Sequence, residues 1–194
     1  MNKMIRTLGV SLVLVSIVAC GQKSKETKIT EVKDTQTAVS DSAKIKEEAK
    51  KTAIAEKNAL PKPYHPEENA EAKIAELTAQ AKKENKNIMI QAGGNWCIWC
   101  LRFNNYVQTT PELKKLVDDN YIYYHLNYSP DNKNEKIFAK YGNPGDKYGY
   151  PVFIVLDKDG KQIHTQDSSV LEEGKGYSLD KVKKFFEDWK PKAM

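Results

Sequence analysis

The sequence predicts a three-layer α/β/α domain, a mixed central sheet with helices on both faces, preceded by a disordered tether. Three observations predict it. From residue 64 onward the hydrophobic pattern switches between helical and strand periods in the order βαβαββα after a leading helix, the pattern of a layered α/β architecture. Two runs, Ile88-Met89-Ile90 and Val152 to Leu156, are apolar without alternation, as strands buried on both faces are. Residues 21 to 63, in contrast, hold no aromatic residue and are dominated by Lys, Glu, Thr, Ser and Ala. They lack the apolar surface that would offset the entropy of ordering.

The elements follow in order. Within the tether, Asp41 to Ala59 is rich in Ala, Lys and Glu and has the makings of a transient helix, with a thin apolar face and Pro61 and Pro63 at its end. Glu67 to Asn85 has apolar or small residues at Ala70, Ile74, Leu77 and Ala81, which is helical spacing, and Pro66 marks its start. Asn87 to Ala92 reads as the central strand, broken by Gly93-Gly94-Asn95. Cys97 to Gln108 reads as a helix beginning at the cysteines. Thr110 and Pro111 restart a helix as N-cap and first position, ending near Asn120. Tyr121 to Tyr128 alternates and is aromatic-rich, hence a strand. Asn134 to Tyr141 is a short helix stopped by Gly142, and a loop through Asn143-Pro144-Gly145 and Gly149 leads to Pro151. The strand Val152 to Leu156 turns at Asp159-Gly160 into a pairing strand that runs to about Gln166. Leu179 to Trp189 closes the chain as an amphipathic helix.

The 194 residues are 40% hydrophobic and 29% charged, with 18 aromatics, a formal net charge of +5 and three cysteines. This composition suits one domain with attachments and excludes a polytopic membrane protein, a chain disordered throughout and a disulfide-dense scaffold. The first residues carry Lys3 and Arg6, then an apolar run from Leu8 to Ala19 that is short for a membrane span, then Cys20. A positive start followed by a short apolar run predicts export, with residues 1–19 as signal peptide. Ile17-Val18-Ala19-Cys20 resembles a bacterial lipobox, which implies that Cys20 is lipidated and anchors the mature chain in the bacterial cell envelope, facing the periplasm. The expected organisation is therefore 1–19 signal peptide, 20–63 lipidated cysteine and tether, and 64–194 folded domain.

Division of the charge supports this organisation. Two positive charges fall in the signal, residues 21 to 63 carry ten lysines against seven acids, and residues 64 to 194 carry 19 basic against 19 acidic residues. A neutral folded part gives no footprint for nucleic acid, and a weakly basic tether suits an anionic membrane surface.

With Cys20 assigned to lipid, Cys97 and Cys100 remain. A Cys-x-x-Cys pair that follows a buried strand and opens a helix is a redox signal. Free backbone N–H groups and the helix dipole at the first turn stabilise a thiolate, so Cys97 is the expected nucleophile. Cys100, one turn on, is placed to resolve a mixed disulfide and is expected to lie deeper and stay protonated until then. A structural zinc site would need two further ligands, whereas His65, His125 and His164 are scattered singly. Haem attachment is excluded because Leu101 follows the second cysteine. A structural disulfide closing so small a loop would constrain little of the unfolded chain. The chemistry resides in the two sulfurs, so neither a cofactor nor a metal is expected.

Over roughly residues 85 to 190 the sequence resembles the thioredoxin superfamily. The resemblance is carried by Ile88-Met89-Ile90 before Trp96-Cys97-Ile98-Trp99-Cys100, then Leu126-Asn127, Lys140-Tyr141-Gly142, Gly149-Tyr150-Pro151 before an apolar strand, and Asp159-Gly160. It implies a thioredoxin fold, a cis-proline at Pro151 facing the cysteines, and a backbone at Tyr150 that pairs with an extended substrate segment. Trp96, Trp99, Tyr148 and Tyr150 are expected around an exposed sulfur as a rim for protein substrates, with core packing an equal alternative for Trp99. The sequence departs from the family at Gln91, where thioredoxin has a buried acid that assists the second thiol. It departs also at His125, where the partner lysine falls, and at Ile98-Trp99 between the cysteines. His125 is a candidate for proton transfer that would titrate near neutral pH, or alternatively a strand histidine satisfied by the backbone. Arg102, on the helix after Cys100, is expected to face water, with support of the thiolate as the alternative. The expected function is a membrane-anchored thiol:disulfide oxidoreductase acting on protein thiols or disulfides, with reduction, fed by a membrane thiol relay, favoured over oxidation, which would need an electron acceptor. The alternative is a binding module of the same fold for a client protein or Cu(I).

Overall fold

The computed structural model describes residues 35–192, with side-chain surroundings from residue 46 onward. The signal peptide and Cys20 expected from the sequence lie outside the described residues. The chain divides after Ala43, and the fold that follows is that of the unit Lys44–Met194.

Four strands build the central sheet: β1 (Asn87–Gly93), β2 (Tyr121–Asn127), β3 (Val152–Leu156) and β4 (Gln162–Asp167), in the order β2-β1-β3-β4. β1 pairs parallel with β2 and antiparallel with β3, and β3 pairs antiparallel with β4, so the sheet is mixed. Every residue of β1 and β3 is buried, as their unbroken apolar runs require, whereas β4 forms a partly exposed edge.

Alternation along β1 sends its side chains into two cores. Ile88, Ile90 and Ala92 join Ile74, Leu77 and Ala81 of the helix Ala70–Glu84 and Ile137 and Phe138 of the short helix Glu135–Lys140. Met89 faces the other side, with Phe103 and Val107 of the helix Ile98–Thr109, Leu113 and Val117 of the helix Pro111–Asn120, and Val182, Phe185 and Phe186 of the helix Leu179–Trp189. Helices therefore cover both faces, and the three-layer α/β/α reading holds. Gln91 shares the face of Met89, and with it the side on which the cysteine helix lies.

The helices are numbered in chain order: α1 (Thr35–Ala59), α2 (Ala70–Glu84), α3 (Ile98–Thr109), α4 (Pro111–Asn120), α5 (Glu135–Lys140), α6 (Pro144–Tyr148) and α7 (Leu179–Trp189). α2 begins at Asn69, whose side chain accepts the Ala72 N–H at 3.0 Å, and ends at Asn85 in the left-handed conformation, φ 55°. Thr110 stands at the expected N-cap of α4 but makes no side-chain hydrogen bond there; Pro111 occupies the first turn.

Three features differ from the sequence reading. The helix expected transiently over Asp41 to Ala59 ends at Ala59 but begins earlier, at Thr35, because its Ala, Lys and Glu content favours a helix even where little apolar surface is buried. The loop before Pro151 contains α6, with Pro144 in its first turn. After β4 come a 3₁₀ turn, Ser169–Leu171, and a small hairpin of β5 (Glu172–Glu173) with β6 (Gly176–Tyr177), all too short for a periodic signal.

Candidate active site

The site lies where β1 ends and α3 begins. Cys97 is the N-cap of α3, with extended backbone, and its Sγ accepts the Cys100 N–H at 3.1 Å. That bond uses one of the N–H groups that a helix start leaves free, and it places the first sulfur on the positive end of the helix dipole. Cys97 and Cys100 form a disulfide with their Cα atoms 5.3 Å apart. Cys100 is fully buried, deeper than Cys97, in the relative depth the sequence predicts for the pair. Cys97 itself is only 6% exposed, so the sulfur expected to be exposed is recessed. Tyr64, Cys100, Trp99 and Tyr150 pack around it.

Pro151 and Tyr150 face the pair from the start of β3. The Tyr150–Pro151 peptide bond is cis, and Cys97 Sγ lies 3.5 Å from the Tyr150 carbonyl oxygen. Gly149, just before, adopts φ 71° and ψ −156°, a region closed to residues with a side chain. Trp96 is 47% exposed and donates its indole N–H to the Tyr128 carbonyl; its ring meets Tyr150 edge-on with centroids 5.8 Å apart. Tyr150 in turn stacks on Tyr128 at 5.0 Å. An exposed aromatic edge is thus fixed beside the sulfur. Trp99 is half-buried and packs mainly inward, edge-on to Tyr177 at 5.7 Å, while its carbonyl accepts the Tyr177 hydroxyl. Tyr148 packs against the core on the α2 side of the sheet.

Arg102 does not face water as expected. Its guanidinium makes two 2.7 Å hydrogen bonds to the Glu56 carboxylate and lies 5.0 Å from the Trp99 ring centroid. The fork geometry of arginine suits both contacts. The hydrogen bond from Arg102 holds the Glu56 carboxyl below its ordinary value.

Behind the sulfurs is a buried polar cluster. Gln91 Nε2 donates to the Cys100 carbonyl at 2.9 Å and to the Tyr64 hydroxyl at 2.8 Å, while its Oε1 accepts the Tyr123 hydroxyl at 2.7 Å. The carbonyl of Cys100 is an obligate acceptor, which fixes the orientation of the amide. Tyr64 is also held through its backbone, since its N–H donates to Asn95 Oδ1 at 3.2 Å and its carbonyl accepts Asn95 Nδ2 at 2.8 Å. Burial pushes the Tyr64 and Tyr123 hydroxyls well above the usual phenol value, so both remain un-ionised.

His125 borders this cluster, its ring edge-on to Tyr64 at 5.2 Å and tilted against Tyr123 at 5.1 Å. The expectation that it titrates near neutral pH is overturned. Burial, with a smaller contribution from the charge of His65, pushes it down to about 4. Its Nε2 is buried without a hydrogen-bond partner among the described residues, so a backbone partner at that atom does not account for it either.

Sequence reasoning missed Tyr64 and Asn95. A signal for Tyr64 was present: it is the first aromatic residue after an aromatic-free stretch, set between Pro63 and Pro66.

With this geometry in view, comparisons with known proteins are informative. A family model described as thioredoxin-like matches residues 69–158. No curated protein matches the sequence. Among solved structures, a disulphide isomerase from Xylella fastidiosa Temecula1 superposes with a TM-score of 0.58 at 23% identity, over 67% of this chain and 98% of that one. The oxidised C-terminal domain of DsbD from Neisseria meningitidis gives a TM-score of 0.46 at 19% identity, over 63% and 97%. At such identity the first of these shows a shared fold.

Proposed function

From a chain that carries a thioredoxin-like domain with its cysteine pair in place, we propose a thiol:disulfide oxidoreductase that acts on protein substrates outside the cytoplasm. Its catalytic residues are Cys97 and Cys100. The observation that carries this reading is Cys97 Sγ at the N-terminus of α3, accepting the Cys100 N–H and lying 3.5 Å from the Tyr150 carbonyl beside Pro151.

In the reducing direction the Cys97 thiolate attacks one sulfur of a substrate disulfide. The substrate S–S bond breaks, one substrate thiolate leaves, and a mixed disulfide with Cys97 forms. Cys100 then loses its proton and attacks Cys97 Sγ. The second substrate thiolate leaves with the electron pair, and the Cys97–Cys100 disulfide closes. Two electrons have passed from protein to substrate, and an external thiol donor must return them. Tyr150 presents backbone beside the sulfur, and the exposed Trp96 edge gives a substrate segment an apolar surface to lie on. The lipobox-like Ile17 to Cys20 supports anchoring through lipid on Cys20, with a membrane thiol relay as the donor.

Insulin reduction with a regenerating dithiol tests the reaction. Cys97→Ser abolishes turnover, whereas Cys100→Ser traps covalent substrate adducts at Cys97. Equal trapping by both single variants would remove the assigned order of attack. Tight Cu(I) binding by a reduced protein that never turns over insulin would favour the binding-module reading. Cys20→Ala shifts the protein from the membrane to the soluble fraction, and unchanged fractionation counts against lipid anchoring.

A further inference from the structure

The resolving step asks a fully buried thiol to give up its proton beside a hydrogen-bonded cluster, Gln91, Tyr64 and Tyr123, whose side chains are all uncharged. Gln91 organises that pocket. Both amide hydrogens are spoken for, by the Cys100 carbonyl and the Tyr64 hydroxyl oxygen, so the Tyr64 hydroxyl is an acceptor toward Gln91 and its own hydrogen is free to point elsewhere.

Gly93 shows where that hydrogen can go. A Cβ built on Gly93 would come 2.5 Å from Cys100 Sγ and 3.0 Å from the Tyr64 hydroxyl oxygen, so both atoms lie over the same bare Cα. Tyr64, Cys97 and Cys100 form one packed cluster, and the backbone of Tyr64 is strapped to Asn95 of the cysteine loop by two hydrogen bonds. In the disulfide form Cys100 Sγ is bonded to Cys97 and makes no hydrogen bond to Tyr64. Opening that bond leaves Sγ able to accept a hydrogen from the phenol that shares the Gly93 surface with it.

We propose that Tyr64, oriented by Gln91, donates its hydroxyl hydrogen to Cys100 Sγ as that sulfur becomes a thiolate, and so promotes the resolving attack. The proposal rests on the oxidoreductase reading above and adds a residue that lies before the segment matched by the family model. Tyr64 keeps its proton throughout, which its un-ionised phenol permits. The proton of Cys100 ends on the substrate thiolate that departs when the Cys97–Cys100 bond forms. The titratable groups facing the cluster are Cys97, Cys100, Tyr64, Tyr123, Tyr150, Tyr177 and His125, and burial raises all four tyrosines so that they stay un-ionised. With these tyrosines un-ionised and His125 held neutral at neutral pH, a hydrogen bond is the means by which this pocket stabilises a negative sulfur.

Ellman's reagent separates the two steps in the full chain carrying Cys20→Ser, so that only the active-site thiols react. Attack by Cys97 releases one thionitrobenzoate and leaves a mixed disulfide, and Cys100 then releases a second. Followed from pH 6 to 10, the second phase reports ionisation of Cys100. In Tyr64→Phe its inflection moves up by about one pH unit, the effect of one lost hydrogen bond to a charged group. Its rate at neutral pH falls only about threefold, because a more basic thiolate is intrinsically more nucleophilic. The first phase is unchanged. A second phase with unaltered rate and inflection, or equal slowing of both phases, overturns the proposal and leaves Tyr64 as packing. Should Tyr64→Phe fail to fold, Gln91→Leu keeps the phenol but removes its guide, and is read by the same two outcomes. If the parent protein never releases the second thionitrobenzoate, it is the oxidoreductase reading that has failed.

Discussion

Cys97 keeps only 6% of its surface, and Tyr150, which packs against it, meets the exposed Trp96 ring edge-on, so little of the sulfur is open to a substrate disulfide. Access and acidity are thus set by different groups: aromatic rings limit approach, and the helix start with its Cys100 N–H stabilises the thiolate. His125 shows how far burial overrides residue type. An imidazole that the sequence offers either as a proton-transfer group or as a structural strand histidine packs against two tyrosine rings and is pushed down to about 4. Unfolded, it has its ordinary value near 6.5. Between those two values the unfolded chain binds a proton that the folded chain excludes. Stability is therefore retained above 6.5 and falls as pH is lowered toward 4. Denaturation by urea at a series of pH values should show that slope, and His125→Phe should flatten it. An equal slope in both proteins would place the pH dependence elsewhere.

At the scale of elements, Arg102 couples α3 to α1. Its guanidinium bridges the Glu56 carboxylate and the Trp99 ring, which links the lead helix to the helix that begins at the cysteines. Arg102 and Glu56 retain 20% and 38% of their side-chain exposure, so solvent screens the pair and it stabilises by no more than about 1 kcal/mol. Glu56→Gln should lower unfolding free energy by that amount and leave insulin reduction unchanged. A loss above about 2 kcal/mol would mean that α1 is held far more tightly than an exposed pair allows. The elements differ in how legible they were. The bounds of α7 and of β3 follow from their apolar patterns, because each buries a continuous surface. α6, β5 and β6 are too short to carry a period, and the helix α1 forms by propensity with a thin apolar face. The site divides the same way. Cys97, Cys100 and Pro151 were readable because chemistry and chain order mark them, whereas the roles of Tyr64 and Asn95 depend on a contact across 31 positions that no local pattern records.

For the whole molecule the open chemical variable is the direction of electron flow, and stability measures it. The folded pair is a stronger oxidant than the same pair unfolded to the extent that folding favours the dithiol over the disulfide. About 30 mV corresponds to about 1.4 kcal/mol, so the span from a reductant near −270 mV to an oxidant near −120 mV is about 7 kcal/mol of differential stability. Beyond the hydrogen bond proposed from Tyr64 to Cys100, which acts only while that sulfur is ionised, what stabilises the dithiol here is limited. Cys97 Sγ has the helix start and one backbone N–H. Arg102, the nearest cation along α3, is committed to Glu56, and His125 is neutral near pH 7. Burial of Cys100 opposes its ionisation. A thiolate so modestly supported gives folding little reason to prefer the reduced form, which favours a reductant. Thermal unfolding of the two redox forms should therefore show the oxidised protein as the more stable. A reduced form that melts higher would make the protein an oxidant, with an electron acceptor in place of a donor, while leaving Cys97 and Cys100 in the same order of attack.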